Sequence, residues 1–336
     1  MLQVYIPKEI QNLRVLSFLA PVSSSDNRLF QNIDIKEFEN IIKRVEKIKD
    51  AEYVLIPHYL PDLANYSTYV PDAIAEAKTA GIRCLLFTNQ DSPDDLIFPD
   101  TIVFRPSAYK SKLDARSIII PGQVQDLGQE YGYEPLHKKT QPGVGFVGKA
   151  GLSSVKELVR FFYKNFIILK GPCREGVFFR RKALNVLKKS DSVELHSKIR
   201  RRFSAHKKTI EAPIAEIRGE YIENIQENLF TLCPRGDGNY SLRFYEVLSL
   251  GRIPLVIDTD MELPLEDRVP YDTFIVRVHW SDIENLATII AKLHESTSDE
   301  IFQKMQASAR EHFVKYLHMP PFLRIVLSKE YLDLIP

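Results

Sequence analysis

Short runs of uninterrupted apolar residues recur along this chain, separated by stretches of helical spacing, and that alternation leaves few folds open. YVLIP (53–57), IRCLLF (82–87), TIVF (101–104), SIII (117–120), VGFV (144–147), FIIL (166–169), LFTL (229–232), IPLVI (253–257) and TFIV (273–276) are almost wholly apolar rather than alternating. A strand with apolar side chains on both faces is buried on both, as in a parallel sheet covered by helices. Helices are expected between them. DAIAEAKTA (72–80) is closed by Gly81, and others cover about 153–164, 177–189, 214–228, 241–251, 282–294 and 299–318. DIKEFENIIKRVEKIK (34–49) places Ile35, Phe38, Ile41, Ile42, Val45 and Ile48 along one helical face.

The polar, turn-rich stretch DLGQEYGYEPLHKKTQPG (126–143) interrupts this pattern and marks a domain boundary. With 336 residues, and roughly 150 per domain, two domains are expected. We read an α/β chain of two doubly wound, Rossmann-like domains facing across a cleft, residues 1–140 and 141–318. In open parallel sheets the ligand sits beyond the carboxyl ends of the strands, so the loops after strands are where chemistry is sought. The 45 basic and 44 acidic residues nearly cancel. That balance excludes a globally basic nucleic-acid coat and a highly charged disordered chain. No window approaches 18 consecutive apolar residues, and MLQVYIPKEIQNLRV shows no basic region followed by an apolar one. Three widely spaced cysteines (Cys84, Cys173, Cys233) read as reduced thiols. A cytoplasmic protein is the expectation.

The most informative segment is LFTLCPRGDGNYSLRFYEVLSLGRIPLVIDTDMELPLED, 229–267. A buried strand runs into a loop with two glycines. Ser241 then stands at a helix N-cap position, and Gly251 closes the helix. Such a strand–loop–helix aims free N–H groups and the positive helix end into the cleft, where an anion can sit. Arg235 and Arg243 add guanidinium donors suited to phosphate oxygens. Glu246, one and a half turns into the helix, is placed to accept hydrogen bonds from a ribose diol. The plainer alternative is that Ser241 caps its helix and Glu246 faces solvent.

CPRGDGNYSLRFYEVLSLGRIPLVI (233–257) resembles the C-terminal signature of the exostosin family of glycosyltransferases. YIENIQENLF (221–230) and FRRKALNVLKKS (179–190) are similar to the helices before it. VLIPHY (54–59) and SIIIPG (117–122) resemble the family's early strands. The resemblance implies a GT-B architecture and an inverting enzyme using UDP-sugars. It also implies a C-terminal domain that holds the nucleotide, with a last helix (319–336) returning to the first domain. Carried over by position, Arg235, Ser241, Arg243 and Glu246 line the nucleotide-sugar site. Unlike many animal and plant members, this chain is expected to have no anchor, stem or second catalytic domain. A bacterial or viral setting is therefore expected, with a glycan hydroxyl as acceptor.

Other residues complete the reading. Arg180 and Arg181 open a stretch, 180–208, with eleven lysines and arginines against Asp191 and Glu194. One of the two, assigned here as Arg181, reaches a leaving diphosphate and offsets its charge without a metal. The remainder is a solvated face or a peripheral contact for an anionic glycan or membrane. Stacking aromatics are absent from it, so no nucleic-acid partner is expected. Lys149 ends GVGFVGK (143–149) and points towards phosphate or into solvent. Asp258 and Asp260 follow a strand. They either lie near the sugar hydroxyls, with Asp260 lining the donor site and no cofactor, or hold a divalent ion. An inverting transfer needs a general base, for which His58 and Asp91, both following strands, are the candidates.

Overall fold

In the computed structural model, which describes residues 1–19, 35–92, 96–202 and 213–336, the apolar runs assemble into two open sheets with parallel neighbours. The first holds β1 (Leu2–Tyr5), β2 (Ile42–Val45), β3 (Tyr53–Leu55), β4 (Arg83–Phe87), β5 (Thr101–Arg105) and β6 (Ser117–Ile119), in the order β2-β1-β3-β4-β5-β6. Helix α1 (Tyr69–Thr79) lies between β3 and β4 and covers one face. Val54 and Cys84 pack with Ala77, and Ile56 and Leu86 with Val70 and Ala73. Their sequence neighbours Tyr53, Leu55, Leu85 and Phe87 turn to the other face, as the two-residue period requires. There they join Phe313, Leu317, Phe322, Leu323 and Val326 from the far end of the chain.

After the short helix α2 (Leu127–Tyr131) the second unit begins with β7 (Gly143–Lys149), α3 (Val155–Phe162) and α4 (Gly176–Lys188). It continues through β8 (Glu194–Arg200), α5 (Ile214–Gln226), β9 (Phe230–Cys233) and α6 (Leu242–Ser249). Strands β10 (Ile253–Asp258) and β11 (Val276–His279) follow, then α7 (Leu286–Ser296) and α8 (Asp299–His312). The strand order is β11-β10-β9-β7-β8. Phe146, Phe179, Phe230, Leu255, Ile257 and Phe302 form its core. Helices α9 (Met319–Val326) and α10 (Lys329–Leu332) end the chain. They lie against the first sheet, where Arg83 donates to the carbonyls of Leu332 and Ile335 at 2.8 Å.

Several elements differ from expectation. Residues 35–50 form no α-helix, because Asn40 adopts a left-handed φ of 63° and breaks the run. Beyond it, Ile42–Val45 pairs with β1 at the sheet edge; Asp34 lies outside the described residues. FIIL continues helically, as a π-helical turn over Tyr163–Ile168, rather than as a strand. The last strand is Val276–His279, a few residues later than TFIV, in register with Leu255–Asp258. An unexpected strand, β8, runs through the basic stretch.

The carboxyl ends of β5, β9 and β10 meet, so the two sheets face each other across a cleft. Tyr109 and Met261 form an antiparallel bridge, and Lys110 N–H donates to the Asp260 carbonyl at 2.8 Å. At the centre lies Asn239, fully buried. Its amide Nδ2 donates to the carbonyls of Ala108, Thr259 and Asp260 at 2.9–3.1 Å. Its backbone N–H donates to Ser107 Oγ at 2.7 Å, and its Oδ1 accepts from the Thr259 hydroxyl at 2.6 Å. Asn239→Ala leaves several of these buried groups unpaired, at about 1–3 kcal/mol each when orphaned. The expected loss is about 3 kcal/mol in urea unfolding. The exposed Asn65→Ala should stay within about 0.5 kcal/mol, and equal midpoints for the two variants would contradict the clasp.

Candidate functional site

In the second sheet the chain leaves β7 for β8 on one side and returns to β9 on the other, so β7/β9 is the topological switch point where ligands bind. Two arginines occupy it. Arg243, in the first turn of α6, donates to the carbonyls of Val147 (2.6 Å) and Leu232 (3.2 Å), joining the ends of β7 and β9. Its guanidinium lies 4.2 Å from the Phe146 ring centroid. A Cβ on Gly148 would lie 2.6 Å from Arg243 Nη2, so a larger residue there would have to displace that guanidinium. Arg180, on α4, donates to the carbonyls of Lys149 and Arg235, both at 3.1 Å. Burial and the neighbouring Arg243 lower it to about 10, so it remains charged at neutral pH. Among the described residues neither arginine has a carboxylate at ion-pair distance. Asp237 offsets part of the repulsion that Arg243 and Arg235 exert on Arg180, and an anion between the guanidiniums would relieve the rest.

The start of α6 adds donors. Ser241 is extended (φ −138°, ψ 121°) and its hydroxyl makes no capping bond, leaving first-turn N–H groups without a side-chain acceptor. Glu246 accepts from Arg218 Nη1 at 3.0 Å and from the Tyr221 hydroxyl at 2.5 Å, both on α5. Burial, then the carboxylate itself, raises Tyr221 well above an ordinary phenol, which keeps it a donor. Arg243 lies 5.6 Å from the Tyr221 ring, so arginine, tyrosine and carboxylate form one continuous wall.

The other candidates have distinct places. Arg235 is buried and donates to the carbonyls of Gly238, Asp237 and Pro172 and to the Tyr109 hydroxyl, shaping the loop from within. Lys149 ends β7, but its Nζ lies 3.0 Å from Glu157. Bonds from Ser153, then Lys149, hold Glu157 down to about 2. Arg181 is exposed and donates to the Ala150 carbonyl, so Arg180 is the one of the pair aimed at the strand ends. Asp258 accepts from Met261 N–H and lies 3.9 Å from Arg277, whereas Asp260 accepts from Ser111. The two carboxylates thus have different partners, Arg277 and the Met261 N–H for one and Ser111 for the other. The basic stretch is no bare patch, because Lys182 pairs with Glu284, and Lys198 and Arg200 pair with Glu220. Its residues 203–208 lie outside the described residues.

On the facing sheet, His58 is buried. Its Nε2 accepts from Ile10 N–H at 2.9 Å and its Nδ1 donates to the Arg14 carbonyl at 3.0 Å. Asp91 is exposed at the rim and accepts from the Tyr240 hydroxyl at 2.9 Å. Its carbonyl would lie 2.6 Å from a Cβ on Gly238, so the glycine loop closes directly on it. Between the sheets a cavity of about 60 Å³ is lined by Tyr59, Phe87, Asn89, Gln123, Tyr240 and Leu242. Arg180, Arg218, Tyr221 and Asn239 were not assigned to the site from sequence. Arg218 and Tyr221 are three apart on a helix and so share a face, the one signal that could have found them.

Residues 168–293 match the Exostosin GT47 domain. Similar curated proteins include "Probable glucuronosyltransferase GUT1" of Oryza sativa subsp. japonica, 33% identical over 101 residues. That match covers 30% of this chain and 23% of the relative. "Probable beta-1,4-xylosyltransferase IRX10" of Arabidopsis thaliana is 36% identical over 73 residues, 22% of this chain and 18% of that one. The chain thus spans under a quarter of the curated relatives it matches. Among solved structures it is similar to TarM (TM-score 0.40, 11% identity, 86% of this chain and 55% of that one). Anabaena HepE in complex with UDP-glucose gives a TM-score of 0.39 at 9% identity, covering 99% of both. Cysteine chemistry tests the site's burial directly. Cys233, ending β9, and Cys84 are buried, which pushes both thiols up to about 12, whereas Cys173 is exposed. Iodoacetamide at pH 8 should label the folded chain once, at Cys173, and three times after unfolding. Labelling of Cys233 in the folded chain would contradict the placement of the loop.

Proposed function

Because residues 168–293 carry an exostosin GT47 domain, we propose that this chain is an inverting glycosyltransferase. It moves a sugar from a UDP-sugar to a hydroxyl of a glycan acceptor. The observation that carries the reading is the pair Arg180 and Arg243, charged, in no ion pair among the described residues and set beside the start of α6. The bond between the anomeric carbon and the diphosphate oxygen breaks as the acceptor oxygen attacks from the opposite face. Charge then develops on the departing UDP, where the two guanidiniums, the Ser241 hydroxyl and the free N–H groups receive it. Glu246 takes the ribose diol. Asp91, at the rim and across the cleft, takes the acceptor proton; both ring nitrogens of His58 are occupied by backbone. In this proposal no metal is needed at Asp258 and Asp260. The names of the relatives make uronic acid and pentose donors the first to try.

Thermal shifts with UDP, GDP, CDP and TDP, each with and without EDTA, test the donor site. UDP at 100 times its dissociation constant should stabilise the fold by about 2.7 kcal/mol, and EDTA should not alter this. Arg180→Gln and Glu246→Gln should each weaken UDP at least tenfold. Glutamine is chosen at 246 because its side-chain oxygen can still accept the hydrogen bonds from Arg218 and Tyr221, which alanine would lose. Asp91→Asn should keep the UDP shift and lose transfer by about 10²–10⁴-fold. No shift with any nucleotide would overturn the donor site, and wild-type transfer by Asp91→Asn would remove it as the base. A shift that EDTA abolishes would replace the metal-free reading.

A further inference from the structure

Helix α3 and the π-helical turn that continues it carry their apolar side chains on the wrong side for a soluble helix. Across VKELVRFFYKNFIILK (155–170) only Phe161 and Asn165 are buried. Phe161 joins Phe178, and Asn165 is bonded to the Phe161 carbonyl and to Glu175. Outward, Phe162, Tyr163, Phe166, Ile167 and Ile168 are each 53–65% exposed, with Val155 and Val159 beside them. Phe162 and Phe166 stack on each other at 5.5 Å, on the solvent side. A contiguous apolar face of this size on a soluble chain marks a contact surface.

The charges around it say what the contact is. Lys156, Arg160, Lys164 and Lys170 are interspersed with the apolar residues, against the single acid Glu157, which is engaged by Lys149. Arg160 and Lys164 share Glu175, whereas Lys156 and Lys170 are exposed and, among the described residues, in no ion pair. No helix among the described residues is long and apolar enough to cross a membrane. An aromatic and aliphatic face with cations among it is instead the pattern of a helix lying in the headgroup layer of an anionic bilayer. We propose that residues 155–170 are a membrane-docking surface that inserts Phe162, Phe166 and Ile167 among acyl chains and sets Lys156 and Lys170 against anionic headgroups. Because α3 follows β7 directly, docking would hold the arginine-bearing edge of the second sheet close to the membrane.

Vesicle co-sedimentation of the full chain tests this without reference to transfer. Vesicles with 30% phosphatidylglycerol in phosphatidylcholine should bind the protein at low salt, and pure phosphatidylcholine should bind it at least tenfold more weakly. Lys156→Glu/Lys170→Glu should lower partitioning more than tenfold, at about fivefold per lysine lost. Phe162→Ser/Phe166→Ser/Ile167→Ser should abolish binding in a chain that circular dichroism shows to be folded. Because Phe162 and Phe166 also touch the buried Phe161 and Phe178, Ile167→Ser alone, 65% exposed, should weaken binding with an unchanged melting temperature. Absence of binding to the anionic vesicles would overturn the proposal. So would light scattering that shows a dimer which the triple serine variant splits, because a second copy would then cover the face.

Discussion

The site depends on one loop being held from both sides. Residues 235–241 follow a buried strand of the second sheet, yet Asn239 is bonded to Ser107 and Ala108 of the first. Arg235 reaches Tyr109 across the same boundary. These are buried polar groups whose alternative partners lie in water, so their geometry is enforced by the cost of leaving any of them unmade. Gly238 and Gly176 allow it sterically. A Cβ at either would lie within 2.6 Å of a backbone carbonyl, Asp91 for one and Gly236 for the other. The loop can therefore present Asp91 from one sheet and the α6 terminus from the other at a fixed separation.

Within that frame, charge pairing separates structural cations from those available to a ligand. Lys149, Lys182, Lys198, Arg200 and Arg218 each meet a carboxylate. Among the described residues Arg180 and Arg243 donate to carbonyls alone, and Arg243 lowers the proton affinity of Arg180 by more than Asp237 restores it. A fold selected for stability alone would place an acid between them. Sites that break a local rule in this way are where ligand chemistry is expected.

The sequence made the second sheet readable because its strands are buried on both faces, and apolar runs of that kind report burial without reference to partners. The glycines and Ser241 were readable for the same local reason. Other features depended on distant chain. Strand β8 is a sheet edge rich in charge, so its composition resembled a basic patch. Whether Arg180 or Arg181 faces the strand ends is a rotation of about 100° around α4. That rotation is set by Phe178, Phe179 and Ala183 entering the core. His58 is occupied by Ile10 and Arg14, 48 and 44 residues away, which no local pattern reveals.

The first sheet shows the same dependence on a larger scale. Among the described residues its loops supply one long helix, α1, which covers one face. Residues 313–332 cover the other, and they share a cluster with Phe244, Tyr245 and Leu248 of α6. Helix α6 thus points its N-terminus at the proposed anion site while its body packs into the core that supports the opposite sheet. A large apolar interface of this kind resists relative domain motion. Rotating the sheets apart would expose that core and break the Asn239 bonds together, so access to the cleft must come from side chains and loops at its rim. Tyr240 and Asp91 stand there, joined by a single exposed hydrogen bond. Opening that bond exposes no apolar core, which makes this rim the place where the proposed acceptor would enter.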